Sequence, residues 1–434
     1  MNRYTFARHL VALITVGLVV AACQPASTPS ASGSPGQIGG TVSVLATWGG
    51  SEQDSFLAMV KPFEDQTGVK VQYEGTRDNA VLTTRIQGGN PPDLAGLPGP
   101  GLMAQLAKAG KLIDLGNVLD MNAMKSQYSD SFIKLAQVDG KQVGIFIKAA
   151  LKGPIWYNPK AFSAKGYTVP KTWDDLTSLS KKIADSGTTP WCIGLESGAA
   201  SGWPGTDWLE DIVIRQSGPD VYDSWWQGKT KWSSPEIKKA FQTWGTIVAD
   251  PKMVLGGKSA MVATAFGDSG NPMFTNPPKC YMHHQASFIT DFFTKANPAL
   301  KPGEDFNFFM TPDIDSKYAG AVTGAGDLFG MFKDTPQARA LIKYLTTPQA
   351  QAIWVKRGGA LSANKQVTDY PDKISADSAK ALTSAGVFRF DASDLMPEAM
   401  NQAFWKAVLD YVNDPSKLDS ILTSLDKVQA DSYK

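Results

Sequence analysis

Hydrophobic positions along this chain alternate between a period of two and a period near three and a half. Val42-Ser43-Val44-Leu45-Ala46 opens as a strand, and Val69-Lys70-Val71-Gln72-Tyr73 alternates more cleanly. Between them a helix is predicted. Ser51 and Asp54 form a capping-box-like start, Phe56, Met59, Val60 and Phe63 share one face, and Gly68 follows the end. Strand, helix and strand in this short span make a βαβ unit. A second helix runs through Val81, Leu82 and Ile86, after which Pro92-Asp93-Leu94-Ala95 leads into another short strand. Later helices start at Thr172 (with Asp175), Ser234-Pro235 and Thr335-Pro336, each a cap or cap-plus-proline signature. Toward the C-terminus Met400, Phe404, Val408 and Tyr411 line one helix face, and Leu418, Ile421, Leu422, Leu425 and Val428 another. There is no internal repeat. The pattern is that of an α/β protein.

The first residues carry a different signal. Arg3 and Arg8 precede a short apolar stretch, Leu10 to Ala22, which closes in Val20-Ala21-Ala22-Cys23. A charged start, an apolar middle and small residues at the cut describe a secretory signal over residues 1–22. The stretch is shorter than the roughly 20 residues a membrane span needs. The closing four residues resemble a bacterial lipobox, which makes Cys23 the expected lipidation site; the alternative is an ordinary signal peptide followed by an unrelated cysteine. Residues 23–40 are then a flexible tether: Gln24 to Gly40 is uncharged and rich in Ser, Pro and Gly. Such a segment reaches roughly 20–25 Å. The expected location is extracytoplasmic and lipid-anchored, in a periplasm or on the outer face of a cell membrane.

Composition narrows the class. A mature chain of 412 residues (434 minus 22) suggests more than one core. Losing Arg3 and Arg8 moves the formal charge from +1 to −1, so no basic excess favours nucleic acid. Twelve Trp residues are many for this length and point to aromatic surfaces used for binding. With Cys23 assigned, Cys192 and Cys280 are the remaining thiols. In an oxidising compartment they are expected to pair, closing a loop of about 89 residues; two separately buried thiols are the alternative.

Several apparent catalytic motifs fail on inspection. Gly257-Lys258-Ser259 ends like a P-loop, but the motif's first glycine would fall at Lys252. Gly267-Asp268-Ser269-Gly270 is like a serine-protease nucleophile segment, yet the only His before it is His9, in the signal. His283 and His284 are adjacent, the wrong spacing for a helical zinc site. No cofactor or metal site is expected. A glycosidase needs only two carboxylates, so an exported, lipid-anchored glycoside hydrolase stays open as the alternative.

A set of ordered segments resembles the extracytoplasmic solute-binding lipoproteins of carbohydrate ABC importers. They are Trp48-Gly49-Gly50-Ser51-Glu52, Phe63 to Val71, Pro91-Pro92-Asp93-Leu94, Trp156-Tyr157-Asn158, Thr172 to Leu176, Leu345 to Gln351 and Gly358 to Asn364. Pro190 to Gly198, continuing into Gly202 to Asp211, is closer to α-glucoside-binding members, and Asn276-Pro277-Pro278-Lys279-Cys280 supplies the second half of the shared cysteine pair. The resemblance implies a two-lobed periplasmic-binding-protein-like fold of type II, with hinge-linked lobes and a ligand cleft between them. Lobe one is expected at about 41–148 plus 310–365, and lobe two at about 149–309 plus 366–434. It also implies a monomer that captures an α-glucoside-type oligosaccharide or glycoside and delivers it to permease transmembrane subunits. A glucosyl osmolyte such as glucosylglycerol, or trehalose, is the alternative ligand.

Sugar hydroxyls favour charged partners, and the C–H face of a pyranose favours an aromatic ring. From lobe one, Glu52, Arg77 and Asp93 are therefore candidates, all read as lying just after predicted strands, with a solvated loop charge as the alternative for each and a cap on the local turn as a further one for Asp93. From lobe two, Trp203, Asp207 and Trp208 are candidates, with plain core as the alternative for each Trp. Phe266, Asp268 and His284 are weaker choices, a structural turn being the competing role. Gly324, Gly326 and Asp327 resemble a returning lobe-one loop, where glycine lets backbone approach a ligand. Arg357 and Lys152 complete the set as ligand arms or ordinary surface charges.

Overall fold

The computed structural model describes residues 37–434. Cys23, the predicted signal and all but the last residues of the predicted tether lie outside the described residues.

Ten strands form two main sheets. We number them β1 (Thr41–Ala46), β2 (Lys70–Gly75), β3 (Leu94–Leu97), β4 (Ile145–Leu151), β5 (Pro154–Tyr157), β6 (Thr189–Trp191), β7 (Cys280–His284), β8 (Asn307–Met310), β9 (Ala321–Met331) and β10 (Val387–Phe390). The larger sheet has the order β10-β9-β3-β1-β2, and β4 also pairs with β9. β1 runs parallel to β2 and β3, as a βαβ unit requires. The smaller sheet has the order β8-β5-β7-β6. Two apolar cores follow. One packs Val44, Phe56, Leu94, Phe146 and Phe329, and the other Ile155, Trp191, Trp244, Phe404 and Leu422. The chain is a two-lobed α/β protein in which β4 and β9 pair antiparallel in the larger sheet.

The helices start where capping chemistry predicts, with one exception. Thr172 and Asp175 make a complete capping box on Trp173–Asp185, and Ser234 and Thr335 cap Pro235–Val248 and Pro336–Leu345. The first helix, Gly50–Thr67, instead begins without a side-chain cap at Gly49. The Ser51 hydroxyl is drawn to Asp291 rather than to its own helix end. The rest of that helix follows the sequence pattern: Phe56, Met59, Val60 and Phe63 are buried, and Gly68 ends it in the left-handed region.

Cys192 and Cys280 are disulfide-bonded, with Cα atoms 5.7 Å apart, across the parallel pair β6 and β7. Among the described residues no helix is long and apolar enough to cross a membrane.

Candidate functional site

Residues that follow β1, β2, β3 and β4 converge with the start of the helix Trp203–Ser217 and the 391–394 segment on one cleft. The cleft is partly open to solvent, and its interior offers about 130 Å³.

The lobe-one wall is built on Glu52, two residues into the Gly50–Thr67 helix and buried. Its carboxylate accepts from Lys148 Nζ at 2.6 Å and from Arg77 Nη2 at 3.2 Å. Burial pushes the Glu52 carboxyl up, but the two cations outweigh it and hold it below its ordinary value. Asp327 on β9 lies 3.6 Å from the same ammonium; burial outweighs Lys148 there and leaves its carboxyl raised. Trp48 is fixed by Tyr73, whose hydroxyl donates to the Trp48 carbonyl at 2.7 Å.

The lobe-two wall starts at Gly202, where φ is +109° and a Cβ would fall 2.3 Å from the Trp405 carbonyl oxygen. Only glycine fits both demands, and it turns the chain so that Trp203 opens a helix toward the cleft. One turn on, Asp207 is 3 % exposed and accepts from Lys152 Nζ at 2.8 Å through both oxygens. The same ammonium lies 2.9 Å from Asp391 Oδ2 and 5.1 Å from the centre of the Trp203 ring. Lys148 and Lys152 are four residues apart along an extended segment and so share a face, one serving each wall.

Four carboxylates, Asp207, Glu210, Asp391 and Asp394, gather around the single ammonium of Lys152. Burial lowers the Lys152 pKa, and its acidic neighbours more than reverse this, raising it well above the ordinary value. Burial and mutual repulsion push Asp207, Glu210 and Asp394 upward, whereas Lys152 keeps Asp391 below its usual range. Asp207, Glu210 and Asp391 approach closely enough to suit a cation. The Lys152 ammonium already bridges two of them, and Glu210 accepts from the Ala392 and Ser393 N–H groups at 2.9 and 3.0 Å. The protein's own donors thus meet part of their charge.

Of the sequence candidates, Glu52, Arg77, Lys152, Trp203, Asp207, Phe266, Gly326 and Asp327 line this cleft together. Six others do not. Asp93 precedes β3 and so lies at the opposite end of the sheet, where its carboxylate accepts from the Ser43 N–H and hydroxyl at 2.8 and 2.6 Å; Pro98, after β3, reaches the cleft in its place. Trp208 is 1 % exposed and stacks on His284, with centroids 4.2 Å apart, because the helix turns it away from the face that carries Asp207. His284 Nε2 is hydrogen-bonded to the Asp211 carboxylate at 2.8 Å inside the core. Asp268 sits in an exposed turn. Gly324 packs beneath Leu382 and Phe388. Arg357 is exposed and donates to the Ser55 hydroxyl at 3.1 Å.

The cleft also contains residues the sequence reading missed: Trp48, Lys148, Phe288, Asp391, Asp394 and Trp405. Lys148 had a signal, since a lone lysine inside the apolar run Ile145–Leu151 must find a partner when buried. The lobes also meet directly here. The Arg77 guanidinium lies 5.0 Å from the Phe266 ring centre, and Lys148 Nζ 5.1 Å from that of Phe288.

The chain is 40% identical over 375 residues to the osmoprotective compounds-binding protein GgtB of Synechocystis sp., covering 86% of this chain and 88% of that one. It is 37% identical over 393 residues to the alpha-glucosides-binding periplasmic protein AglE of Rhizobium meliloti, covering 88% and 85%. Among solved structures, a chitin oligosaccharide binding protein superposes with a TM-score of 0.79 at 19% identity, covering 91% of this chain and 98% of that one. Maltose-bound MalE3 of T. maritima gives 0.71 at 18% identity, covering 90% and 99%. The family model for bacterial extracellular solute-binding proteins matches residues 49–352. The chain therefore belongs to the bacterial extracellular solute-binding protein family, and it is a binding protein rather than a hydrolase.

Proposed function

We propose that this protein is the sugar-capturing component of an ABC importer and that its cleft takes an α-glucoside-type oligosaccharide or glycoside. The observation that carries this reading is the pairing of aromatic faces with buried, cation-held carboxylates drawn from both lobes. Trp203 offers a half-buried flat apolar surface, flanked by the nearly buried Trp405, while Glu52, Asp207 and Asp391 offer acceptors to hydroxyls. A glucosyl osmolyte such as glucosylglycerol is the second reading, supported by the similarity to an osmoprotectant-binding protein. The residue roles, the lobe boundaries given above, the monomeric state and delivery to permease subunits belong to the same proposal.

Lipidation at Cys23 would hold the body near its permease. Acyl chains add about 0.8 kcal/mol per buried CH₂, so a Cys23→Ala protein should leave washed membranes; one that still pellets with them defeats the anchor. The function itself is tested by extracting the native protein and identifying its co-purified ligand by mass spectrometry. A neutral α-glucoside or glucosyl polyol supports the reading, and an amino acid or metal chelate in its place would contradict it.

A further inference from the structure

Among the described residues the chain crosses between its two main cores at three places. Ile147 packs in the first core and Ile155 in the second; Ala321 packs in the second and Ala325 in the first; Phe390 packs in the first and Ala392 in the second. The crossings are therefore residues 148–154, 322–324 and 391. Each leads into the cleft. Lys148 and Lys152 line it from the first crossing, Ala325, Gly326 and Asp327 from the strand that continues the second, and Asp391 from the third.

One carboxylate holds the first two crossings together. Asp211, on the helix Trp203–Ser217, is wholly buried. Its Oδ1 accepts from the Thr323 hydroxyl and from Arg215 Nη1, both at 2.6 Å, and its Oδ2 is bonded to His284 Nε2 at 2.8 Å. Gly153 presses on it from the first crossing: its φ is +87°, and a Cβ there would fall 2.6 Å from Oδ2. Only glycine tolerates both conditions. Thr311, the residue after β8, closes the ring. Its hydroxyl donates to the Gly153 carbonyl at 2.8 Å, and its own carbonyl accepts from Arg215 Nε at 2.9 Å. The third crossing joins through Asp391, whose N–H donates to the Gly324 carbonyl at 2.8 Å, one residue on from Thr323.

Asp207 stands one turn before Asp211, about 5.4 Å along the same helix face. A short, stiff arm therefore runs from an acceptor in the cleft to the crossings. None of the Asp211, Thr311 and Thr323 side chains lines the cleft itself. Bonds from hydroxyl or guanidinium to a buried carboxylate are strong and directional, so the place of Asp211 against Thr323 governs how the two walls face each other. Resting on the sugar-binding reading, we infer that Asp211 is a positioning residue for the ligand: bonded to Thr323, it sets the wall that carries Trp203 and Asp207 against the wall that carries Asp327. The Thr323 hydroxyl, which does not line the cleft, is then coupled to affinity.

The test is calorimetry on ligand-stripped protein with glucosylglycerol, trehalose and maltose, beside urea unfolding of each variant. Thr323→Val keeps the shape of the side chain and removes its donor; it should bind the tightest of these probes about tenfold more weakly. Thr323→Ser keeps the donor and should stay within about threefold of the parent. Thr311→Val breaks the ring independently, at Gly153, and should weaken binding in the same direction. Leu341→Ala, in the first core on the helix Pro336–Leu345, should lower the urea midpoint and leave affinity unchanged. If Thr323→Val and Thr311→Val fold and bind as the parent does, or if Thr323→Ser or Leu341→Ala costs as much affinity as Thr323→Val, the positioning role is wrong while sugar binding stands. If none of the three probes binds the parent protein, the sugar-binding reading fails and the positioning role with it.

Discussion

Lys152 and Asp207 are joined by two hydrogen bonds of 2.8 Å, one to each carboxylate oxygen, at a depth where both side chains are nearly excluded from water. The pair ties the residue after β4 to the second turn of the helix that carries Trp203. It therefore fixes an acceptor and an aromatic face relative to the segment that follows β4.

Removing this ammonium should be costly. Lys152→Ala leaves Asp207 and Asp391 buried without a cation, and breaking such a pair typically costs about 3–5 kcal/mol. Urea unfolding should register a loss of that size, and ligand affinity should fall with it. Lys152→Ala that is as stable as the parent would mean the cluster is neutralised by some other group.

Trp203 and Trp208 should separate cleanly. Trp203→Ala removes a cleft face, so affinity should drop by about 1–3 kcal/mol with modest change in stability. Trp208→Ala opens a cavity beneath His284 and Trp191, so stability should drop by about 3–5 kcal/mol. Calorimetry and denaturant unfolding on both variants check this; an affinity loss confined to Trp208→Ala would reverse the assignment.

Two buried acids should give opposite pH signatures. Burial raises Asp211, but Arg215 and the bonds from His284 and Thr323 outweigh it, and its pKa falls to about 2. A depressed carboxylate stabilises the fold above its unfolded pKa near 4, and that contribution, about 2 kcal/mol, is lost as pH falls toward 2. Asp394 lies on the other side of its ordinary value, raised by burial and by Asp391. The folded state then holds the proton more tightly than the unfolded one, so this contribution is present at acid pH and lost as pH rises above about 4. Asp394→Asn should therefore flatten the decline in stability on the neutral side, and Asp211→Asn should flatten it on the acid side. Unfolding midpoints measured from pH 2 to 8 decide this; unchanged profiles in both variants would contradict the assignment.

The disulfide should matter to stability. Cys192 and Cys280 are 88 residues apart in sequence, and closing such a loop is worth roughly 4–5 kcal/mol in the chain-entropy model. Cys192→Ser with Cys280→Ser should unfold at lower denaturant by that margin, and thiol labelling of the denatured, unreduced parent should find neither cysteine free. Two labelled thiols would break the pairing.

Particular residues explain what the sequence could convey about this site. Glu52 and Arg77 were legible because each follows a strand that alternation marks, and in a parallel sheet the cleft lies at the carboxyl ends. Asp93 shared their chemistry but preceded its strand, and its bond to Ser43 is a register contact that no local pattern reveals. Trp203 and Trp208 looked equivalent in sequence, since both fall in a short Trp- and Asp-rich stretch whose helix is buried on nearly every side. Asp391, Asp394 and Trp405 reach the cleft only through the late return of the chain at β10, a placement set by tertiary packing. The two-lobed α/β architecture was readable because strand and helix periods are local properties.

The most direct test of the account is titration of ligand-stripped protein with glucosylglycerol, trehalose and maltose, followed by calorimetry and by scattering for closure. One of these should bind with one-to-one stoichiometry, without release of glucose, and should compact the protein; Trp203→Ala should weaken that binding by a factor of about 5–150. A parent protein that binds none of them, or a Trp203→Ala variant that is folded and binds with unchanged affinity, would contradict the assignment of this cleft.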